Sequence, residues 1–237
     1  MEPNLTIDRS AAVERHQLDD DSWVDVATGF VREPDAWFAT IRETTQWLQA
    51  ETLRYDHYVA ENRLSAALRA DSSDLLRQSS LHLASRYRQR FDGVAAILYR
   101  DGRDFQGLHS DREMRWLDDT LIAIVVLGER RPFVIRERQP WATVMAGKVP
   151  AGAAPNDLVL LPGEGDLLVM GGACQRGWMH GVPGAATDRP RISLTWRWTS
   201  RRGRPDTNPT PRDGRQFADR SGQAPTRPGT RYRAPNR

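Results

Sequence analysis

The sequence predicts a mostly β protein with flanking helices (α+β), arranged as a double-stranded β-helix, or jelly-roll, with N-terminal helices packed on one sheet. Two observations predict this fold. Helical patterns come first in the chain, and a series of short apolar runs broken by turn residues begins near residue 94. Many short strands at this spacing are typical of an antiparallel sandwich or barrel. The 237 residues are enough for one core with extensions.

The N-terminal half contains two predicted helices. The first begins at Pro34, and its apolar positions follow helical spacing: Trp37, Phe38, Ile41, Thr45 and Leu48. The second spans about residues 72–90 and places four apolar residues on one side: Leu75, Leu76, Leu83 and Tyr87. Both helices are interpreted as packing elements, not as sites.

The predicted strands are the apolar runs 94–99, 121–127, 132–135, 158–161, 166–170, 178–182 and 191–198. Side chains alternate along a strand, so the last run has two different faces. One face carries Arg191, Ser193, Thr195 and Arg197, and the other carries Ile192, Leu194 and Trp196. Two buried arginines on one face need anionic partners, and a dicarboxylate ligand would supply them.

Composition divides the chain into three parts. Residues 1–22 are polar and predicted to form a flexible leader, residues 23–200 the folded domain, and residues 201–237 a disordered tail rich in Arg, Pro and Gly. We expect a cytoplasmic protein, because no apolar run is long enough to span a membrane and the N-terminus does not resemble a signal peptide. The single cysteine, Cys174, excludes internal disulfides and a thiolate metal site.

Positive charge is concentrated in the tail. Residues 201–237 hold ten Arg and three Asp, a net charge of +7; the whole chain carries +3, so residues 1–200 carry −4. The tail is interpreted either as a non-specific phosphate-binding arm or as a solvated segment without a partner.

Three residues predict a metal site. His109 and Asp111 stand one residue apart, and His180 follows much later in the chain. Two imidazoles and one carboxylate form the facial triad that holds non-haem Fe(II) with three positions open. The alternative is that these are three unrelated polar residues at loop ends.

Four motifs in order resemble the AlkB family of Fe(II)- and 2-oxoglutarate-dependent dioxygenases. Residues 98–104 lead into His109-Ser110-Asp111, and residues 165–172, Trp178-Met179-His180 and residues 191–197 follow. The resemblance covers roughly residues 23–200. It implies that His109, Asp111 and His180 bind iron and form the catalytic centre, with dioxygen as the oxidant. It also implies that 2-oxoglutarate is bound by Tyr99, Arg191, Ser193 and Arg197.

The same resemblance implies oxidative dealkylation of alkylated nucleobases in DNA or RNA, such as 1-methyladenine and 3-methylcytosine, and hence DNA repair. The target base has to be single-stranded or flipped out to reach the iron. Tyr55, Tyr58 and Trp116 are candidates for stacking on it, or for core or lid packing. Neither a membrane nor an obligate protein partner is indicated.

Two departures from the family pattern leave the substrate open. Ile97 stands where many members carry an Asn that contacts the co-substrate, and residues 56–68 match no known pattern for damaged bases. One alternative is therefore the same oxygenase chemistry on a small molecule, a lipid or a protein side chain. A second alternative is a non-catalytic nucleic-acid-binding relative.

Overall fold

The computed structural model describes residues 6–54, 57–111, 114, 117–139, 154–199 and 230–233. These residues form thirteen β-strands and three helices. The strands are β1 (Val13–Gln17), β2 (Ser22–Ala27), β3 (Leu48–Arg54), β4 (His57–Leu68), β5 (Asp92–Tyr99), β6 (Gln106–His109), β7 (Thr120–Gly128), β8 (Phe133–Glu137), β9 (Leu158–Leu160), β10 (Leu167–Gly172), β11 (Trp178–Val182), β12 (Arg191–Thr199) and β13 (Thr230–Arg233). The helices are α1 (Pro34–Thr44), α2 (Asp74–Tyr87) and α3 (Cys174–Gly177).

Two antiparallel sheets form the jelly-roll. In the described residues the major sheet has nine strands in the order β1-β2-β10-β7-β12-β5-β4-β3-β13, and the minor sheet has four in the order β6-β11-β8-β9. Consecutive strands alternate between the sheets along much of the chain, as β5 to β6 and β7 to β8 do. The predicted fold class is therefore confirmed.

The major sheet separates two apolar cores. The helix-side core lies between this sheet and the helices and contains Ile41, Leu75, Leu83, Leu194 and Trp196. The inter-sheet core lies between the two sheets and contains Ile122, Ile124, Val126, Phe133 and Leu168. Strand β7 supplies alternate residues to both, as the period of a strand requires.

Local sequence signals explain where the helices begin and end. Pro34 stands in the first turn of α1, where its missing N–H costs nothing. The Ser73 side chain caps α2 by accepting a hydrogen bond from the Leu76 backbone N–H. The prediction that the first helix continues through Thr45 and Leu48 was wrong, since Thr45 is already extended and Leu48 begins β3.

The flexible leader predicted for residues 1–22 was wrong from residue 6 onward. Ile7 is fully buried in the helix-side core. Strand β1 pairs antiparallel with β2 along its whole length, with Val13 opposite Ala27. The prediction failed because β1 is an edge strand with mainly polar side chains, so its hydrophobic pattern is weak.

Part of the C-terminal tail adds a strand to the major sheet. Within residues 201–237, predicted to be disordered, residues 230–233 form β13 and pair antiparallel with β3. The other residues of this segment lie outside the described part of the chain, and their disorder stays a prediction. Among the described helices, none combines the length and apolar character needed to cross a bilayer.

Candidate metal centre and anion-binding site

The pairing of β6 with β11 brings the three predicted metal ligands together. His180 lies directly opposite His109 in this pair. Asp111 follows His109 just past the end of β6. The ligand atoms of His109, Asp111 and His180 all lie within 4.8 Å of one another. The pairing of β6 with β11 therefore brings together two histidines that are separated by seventy residues of chain.

Two neighbours contact Nδ1 of His109: the Gly107 carbonyl oxygen at 2.9 Å and the Gln106 side-chain nitrogen at 3.2 Å. The carbonyl can only accept, and its shorter contact favours a proton on Nδ1. Nε2 is left with a lone pair and points toward the Asp111 carboxylate, 3.7 Å from Oδ1. Burial lowers the pKa of His109, which favours the neutral form that binds metal.

His180 is more deeply buried than His109. Its ring stacks on Phe133 with centroids 5.7 Å apart and lies 4.4 Å from the ring of His109. Burial, together with the neighbouring His109, lowers the pKa of His180 to about 3. The imidazole is therefore neutral at physiological pH and available as a ligand.

Arg197 keeps Asp111 ionised. Its Nε donates to Asp111 Oδ2 at 2.9 Å. Burial would raise the pKa of Asp111, but the charge of Arg197 and the two imidazoles bring it well below the usual range. Two neutral imidazoles and a carboxylate in one cluster are the donor set that Fe(II) takes in facial-triad sites, so these residues fit the metal.

The second part of the site is a buried cation on the same face of β12. Arg191 is fully buried and lies opposite Tyr99 of β5. Its Nη1 donates to the carbonyl oxygens of Arg131 and Pro162 at 3.2 and 3.3 Å. Its Nε and Nη2 have no hydrogen-bond partner among the described residues. Burial lowers the pKa of Arg191 to about 10, and the two unsatisfied donors fit an anionic ligand.

The structure describes Ser193 and one of the three base-stacking candidates, Tyr58. Ser193 is buried on the same face as Arg191 and lies opposite Ile97. Tyr58 lies on β4 with 44% of its side chain exposed. Tyr55 and Trp116 lie outside the described residues.

Sequence reasoning missed Arg131 because its neighbours Gly128 and Pro132 indicate a turn. The turn exists, and Gly128 adopts a φ of +75° at the end of β7. Three residues later, however, the chain places Arg131 in the interior with no exposed surface. Its guanidinium lies over the Tyr99 ring, 5.3 Å from the centroid. No local pattern distinguishes it from its exposed neighbour Arg130.

Gln175 and Arg138 also escaped prediction. Gln175, on α3, is almost fully buried, and its Oε1 accepts a hydrogen bond from the Asp111 backbone N–H at 3.0 Å. Arg138 donates to the Ser110 hydroxyl and to the carbonyl oxygens of Gln175 and Arg176. Together they fix the loop that carries Asp111, and only the fold brings them there.

A model of the 2OG-Fe(II) oxygenase superfamily matches residues 39–197. Among curated proteins, the chain is 28% identical over 199 residues to alpha-ketoglutarate-dependent dioxygenase alkB homolog 3 of Bos taurus, covering 74% of this chain and 66% of that one. It is 30% identical over 118 residues to DNA oxidative demethylase ALKBH2 of Arabidopsis thaliana, covering 46% of this chain and 38% of that one. The chain thus spans about two thirds or less of these relatives' lengths.

Solved structures agree with the fold. HygX from Streptomyces hygroscopicus, with nickel, 2-oxoglutarate and hygromycin B bound, matches with a TM-score of 0.52 and 11% identity, covering 75% of this chain and 83% of that one. The family model covers more than half of the chain and contains all three clustered donors. The protein therefore belongs to the 2OG-Fe(II) oxygenase superfamily, as an AlkB-like member whose cofactors are Fe(II), 2-oxoglutarate and dioxygen.

Proposed function

We propose that this protein is an oxidative demethylase that removes alkyl groups from nucleobases of DNA or RNA. The observation that carries the substrate class is the similarity to relatives named dioxygenase alkB homolog 3 and DNA oxidative demethylase. The site is compatible with this chemistry, because a cluster of metal donors and a buried cation lie on the facing surfaces of the two sheets.

In this proposal His109, Asp111 and His180 hold Fe(II). Iron held there would supply the activation of dioxygen, whose two atoms enter succinate and the substrate C–H bond as 2-oxoglutarate loses CO₂. The protein holds the ligands in their reactive protonation states: Gly107 orients His109, and Arg197 keeps Asp111 a carboxylate. A hydroxylated N-alkyl carbon is a hemiaminal, which collapses to an aldehyde and the restored base.

The co-substrate is assigned to the Arg191 side of the site. The Arg191 fork binds the distal carboxylate, with Tyr99 and Ser193 beside it and Arg197 at the metal end. The two unsatisfied donors of Arg191 support this orientation. The apolar inter-sheet core, which includes Val126 opposite Ser193, would exclude water from this end of the site.

The wall of the site on β4 offers polar groups to a base. Glu61 and Arg63 are both buried and form an ion pair of 2.9 Å. Arg63 lies close enough to His109 for its charge to lower the pKa of that histidine. Nucleobase edges present donors and acceptors, so a paired acid and base beside the metal suits a heterocycle better than a plain alkyl chain.

The test is demethylation of oligonucleotides that carry 1-methyladenine or 3-methylcytosine, with Fe(II), ascorbate and 2-oxoglutarate. We expect restoration of the base with matched succinate release, and loss of both in His109→Ala and Asp111→Ala. Succinate release without repair on any methylated strand would overturn the nucleic-acid assignment and leave the oxygenase. Repair that persists in both variants would overturn the metal assignment.

A second candidate is the same oxygenase chemistry on a small molecule, a lipid or a protein side chain. The net charge of −4 on residues 1–200 favours it, because a polyanion is repelled by a negative domain. A binding assay separates the two: without oxygen, a methylated single strand should bind the protein loaded with Fe(II) and 2-oxoglutarate if the first candidate is right, and should not bind if the second is right. A non-catalytic relative is rejected by any turnover that disappears in the iron-ligand variants.

A further inference from the structure

A second buried guanidinium adjoins Arg191. Arg131, in the connection from β7 to β8, is fully buried, and its backbone carbonyl accepts the hydrogen bond from Arg191 Nη1. Its own guanidinium lies over the ring of Tyr99, the residue opposite Arg191. Arg131 therefore contacts both residues to which the distal carboxylate of the co-substrate is assigned.

Backbone carbonyls satisfy only part of the Arg131 guanidinium. Nη1 donates to the carbonyl oxygen of Asp101 at 3.1 Å, and Nη2 donates to those of Asp104 and Pro183 at 2.8 and 2.7 Å. Its Nε has no partner among the described residues. With Nε and Nη2 of Arg191, three buried guanidinium nitrogens are left without an acceptor in one region of the described residues.

The charge of this region has no direct ion-pair partner among the described residues; Asp101, Asp104 and Asp166 act on it only from a distance. Arg131 and Arg191 make no ion pair within the described part of the chain, whereas other buried arginines do: Arg63 pairs with Glu61 and Arg136 with Asp157. Burial lowers the pKa of both Arg131 and Arg191. Two adjacent buried cations are costly without an anion, because each loses hydration and repels the other.

We propose that Arg131 is a positioning residue of the co-substrate site, which holds the Tyr99 ring and adds a second positive charge toward the distal carboxylate. This inference rests on the proposed binding of 2-oxoglutarate at Arg191. Its consequence is selectivity: the site should strongly prefer a 2-oxo acid with a charged distal end over one of the same length with a neutral end.

The alternative is that Arg131 only ties three carbonyls together and stabilises the fold. The two roles make different demands on the ligand. A structural clamp supports all ligands equally, so its loss weakens a diacid and a monoacid by the same factor. A charge that faces the distal carboxylate supports only the diacid, so its loss reduces the ratio of the two affinities.

The experiment measures this ratio by calorimetry on Fe(II)-loaded protein without oxygen. The ligands are 2-oxoglutarate and 2-oxopentanoate, which has the same carbon chain but ends in a methyl group. We expect Arg131→Gln to reduce the affinity ratio by about tenfold, the scale of a buried charge interaction screened by the protein. Arg130→Gln is the matched control, since this neighbour is partly exposed, pairs with Glu164 and Asp166, and should leave the ratio unchanged.

Two further variants keep the test decisive. Arg191→Gln should bring the ratio close to one, and an unchanged ratio there would overturn the co-substrate assignment itself. An equal loss of affinity for both ligands in Arg131→Gln, with Arg191→Gln behaving as expected, would overturn the role of Arg131 alone. If Arg131→Gln does not fold, Arg131→Met replaces it. If both neutral variants are unfolded, Arg131→Lys is measured instead, since it keeps the charge but not the guanidinium that bonds three carbonyls. A retained affinity ratio then supports the charge role, and a ratio that falls toward one overturns it.

Discussion

The two faces of β12 serve different purposes: one packs in a core and the other carries charged groups of the candidate site. Ile192, Leu194 and Trp196 lie in the helix-side core and are fully buried apolar groups. On the other face, Arg191 and Arg197 carry charges between the sheets, where burial of charge is costly. The apolar face thus stabilises the fold, whereas the charged face costs stability and serves ligand binding. Substitutions on the apolar face should therefore reduce stability, and substitutions on the charged face should reduce turnover.

The largest effects should come from two buried carboxylates, each paired with an arginine. Asp111 pairs with Arg197 between the sheets, whereas Asp25 pairs with Arg15 and accepts from the Tyr87 hydroxyl on the helix side. We expect Asp111→Asn to reduce turnover of 2-oxoglutarate at least about 100-fold, because a metal ligand loses its charge. Asp25→Asn should cost about 2 kcal/mol of unfolding free energy and leave turnover per folded molecule unchanged.

Urea denaturation and succinate release, measured on both variants, check this pair. Stability and turnover are not separated between the two faces of the major sheet if Asp25→Asn, on β2, impairs turnover in fully folded protein, or if Asp111→Asn retains turnover.

The next effect concerns the packing of β12 itself. Trp196 is fully buried, and its indole N–H donates to the Ser80 hydroxyl on α2. Trp196→Ala should cost about 3–5 kcal/mol, the usual range for a large aromatic removed from a core. Trp196→Phe serves as the conservative control, and equilibrium unfolding is the measurement. A loss below about 1 kcal/mol would show that the helix-side face contributes little stability.

A smaller effect is expected at Gln175, which lies on the functional side and contacts Asp111 only through the backbone N–H of that residue. Gln175→Leu removes the acceptor for the Asp111 backbone N–H and should weaken Fe(II) binding by about 10–100-fold. Arg176→Gln, one residue later in the same short helix and paired with Asp118 at the surface, is the control. Titration with Fe(II) measures the dissociation constant of both variants. An unchanged constant in Gln175→Leu would show that the contact with Asp111 serves the fold and not metal binding.

The smallest effect is a pH dependence on the helix side. Burial, and then the charge of Asp25, raise the pKa of Tyr87 above its usual value. The folded state therefore retains a proton that the unfolded state releases, and stability falls as the pH rises above about 10. Between pH 9 and pH 11, wild type should lose about 1 kcal/mol more unfolding free energy than Tyr87→Phe. Equal losses in the two proteins would contradict the shift.

Local patterns predicted much of the fold, but not its edges. The runs that became β5, β7, β10, β11 and β12 alternate or are continuously apolar, because one or both of their faces are buried. Strands β1, β3 and β4 were not predicted. Polar side chains interrupt their hydrophobic pattern. Glu61 and Arg63 on β4 are nevertheless buried, as an ion pair with each other.

The candidate site divides in the same way. His109, Asp111, His180, Tyr99, Arg191, Ser193 and Arg197 were identified from the sequence through motif order and family resemblance, and their individual roles stay predictions. Arg131, Gln175 and Arg138 have no motif. Burial distinguishes Arg131 from Arg130 and Gln175 from Arg176, and Arg138 is distinguished by its hydrogen bonds to Ser110 and Gln175.

The sequence by itself determined which functional groups are present and which face of each strand they occupy. The alternation from Arg191 to Arg197 separates charged from apolar side chains, because successive residues of a strand point to opposite faces. Only the tertiary structure decided which groups meet. The register of β6 against β11 sets His180 opposite His109, and the turn at Gly128 buries Arg131 beside Arg191. These contacts form because both apolar cores are buried at once. The free energy of that burial depends on residues from the whole chain, so no short segment can predict the contacts.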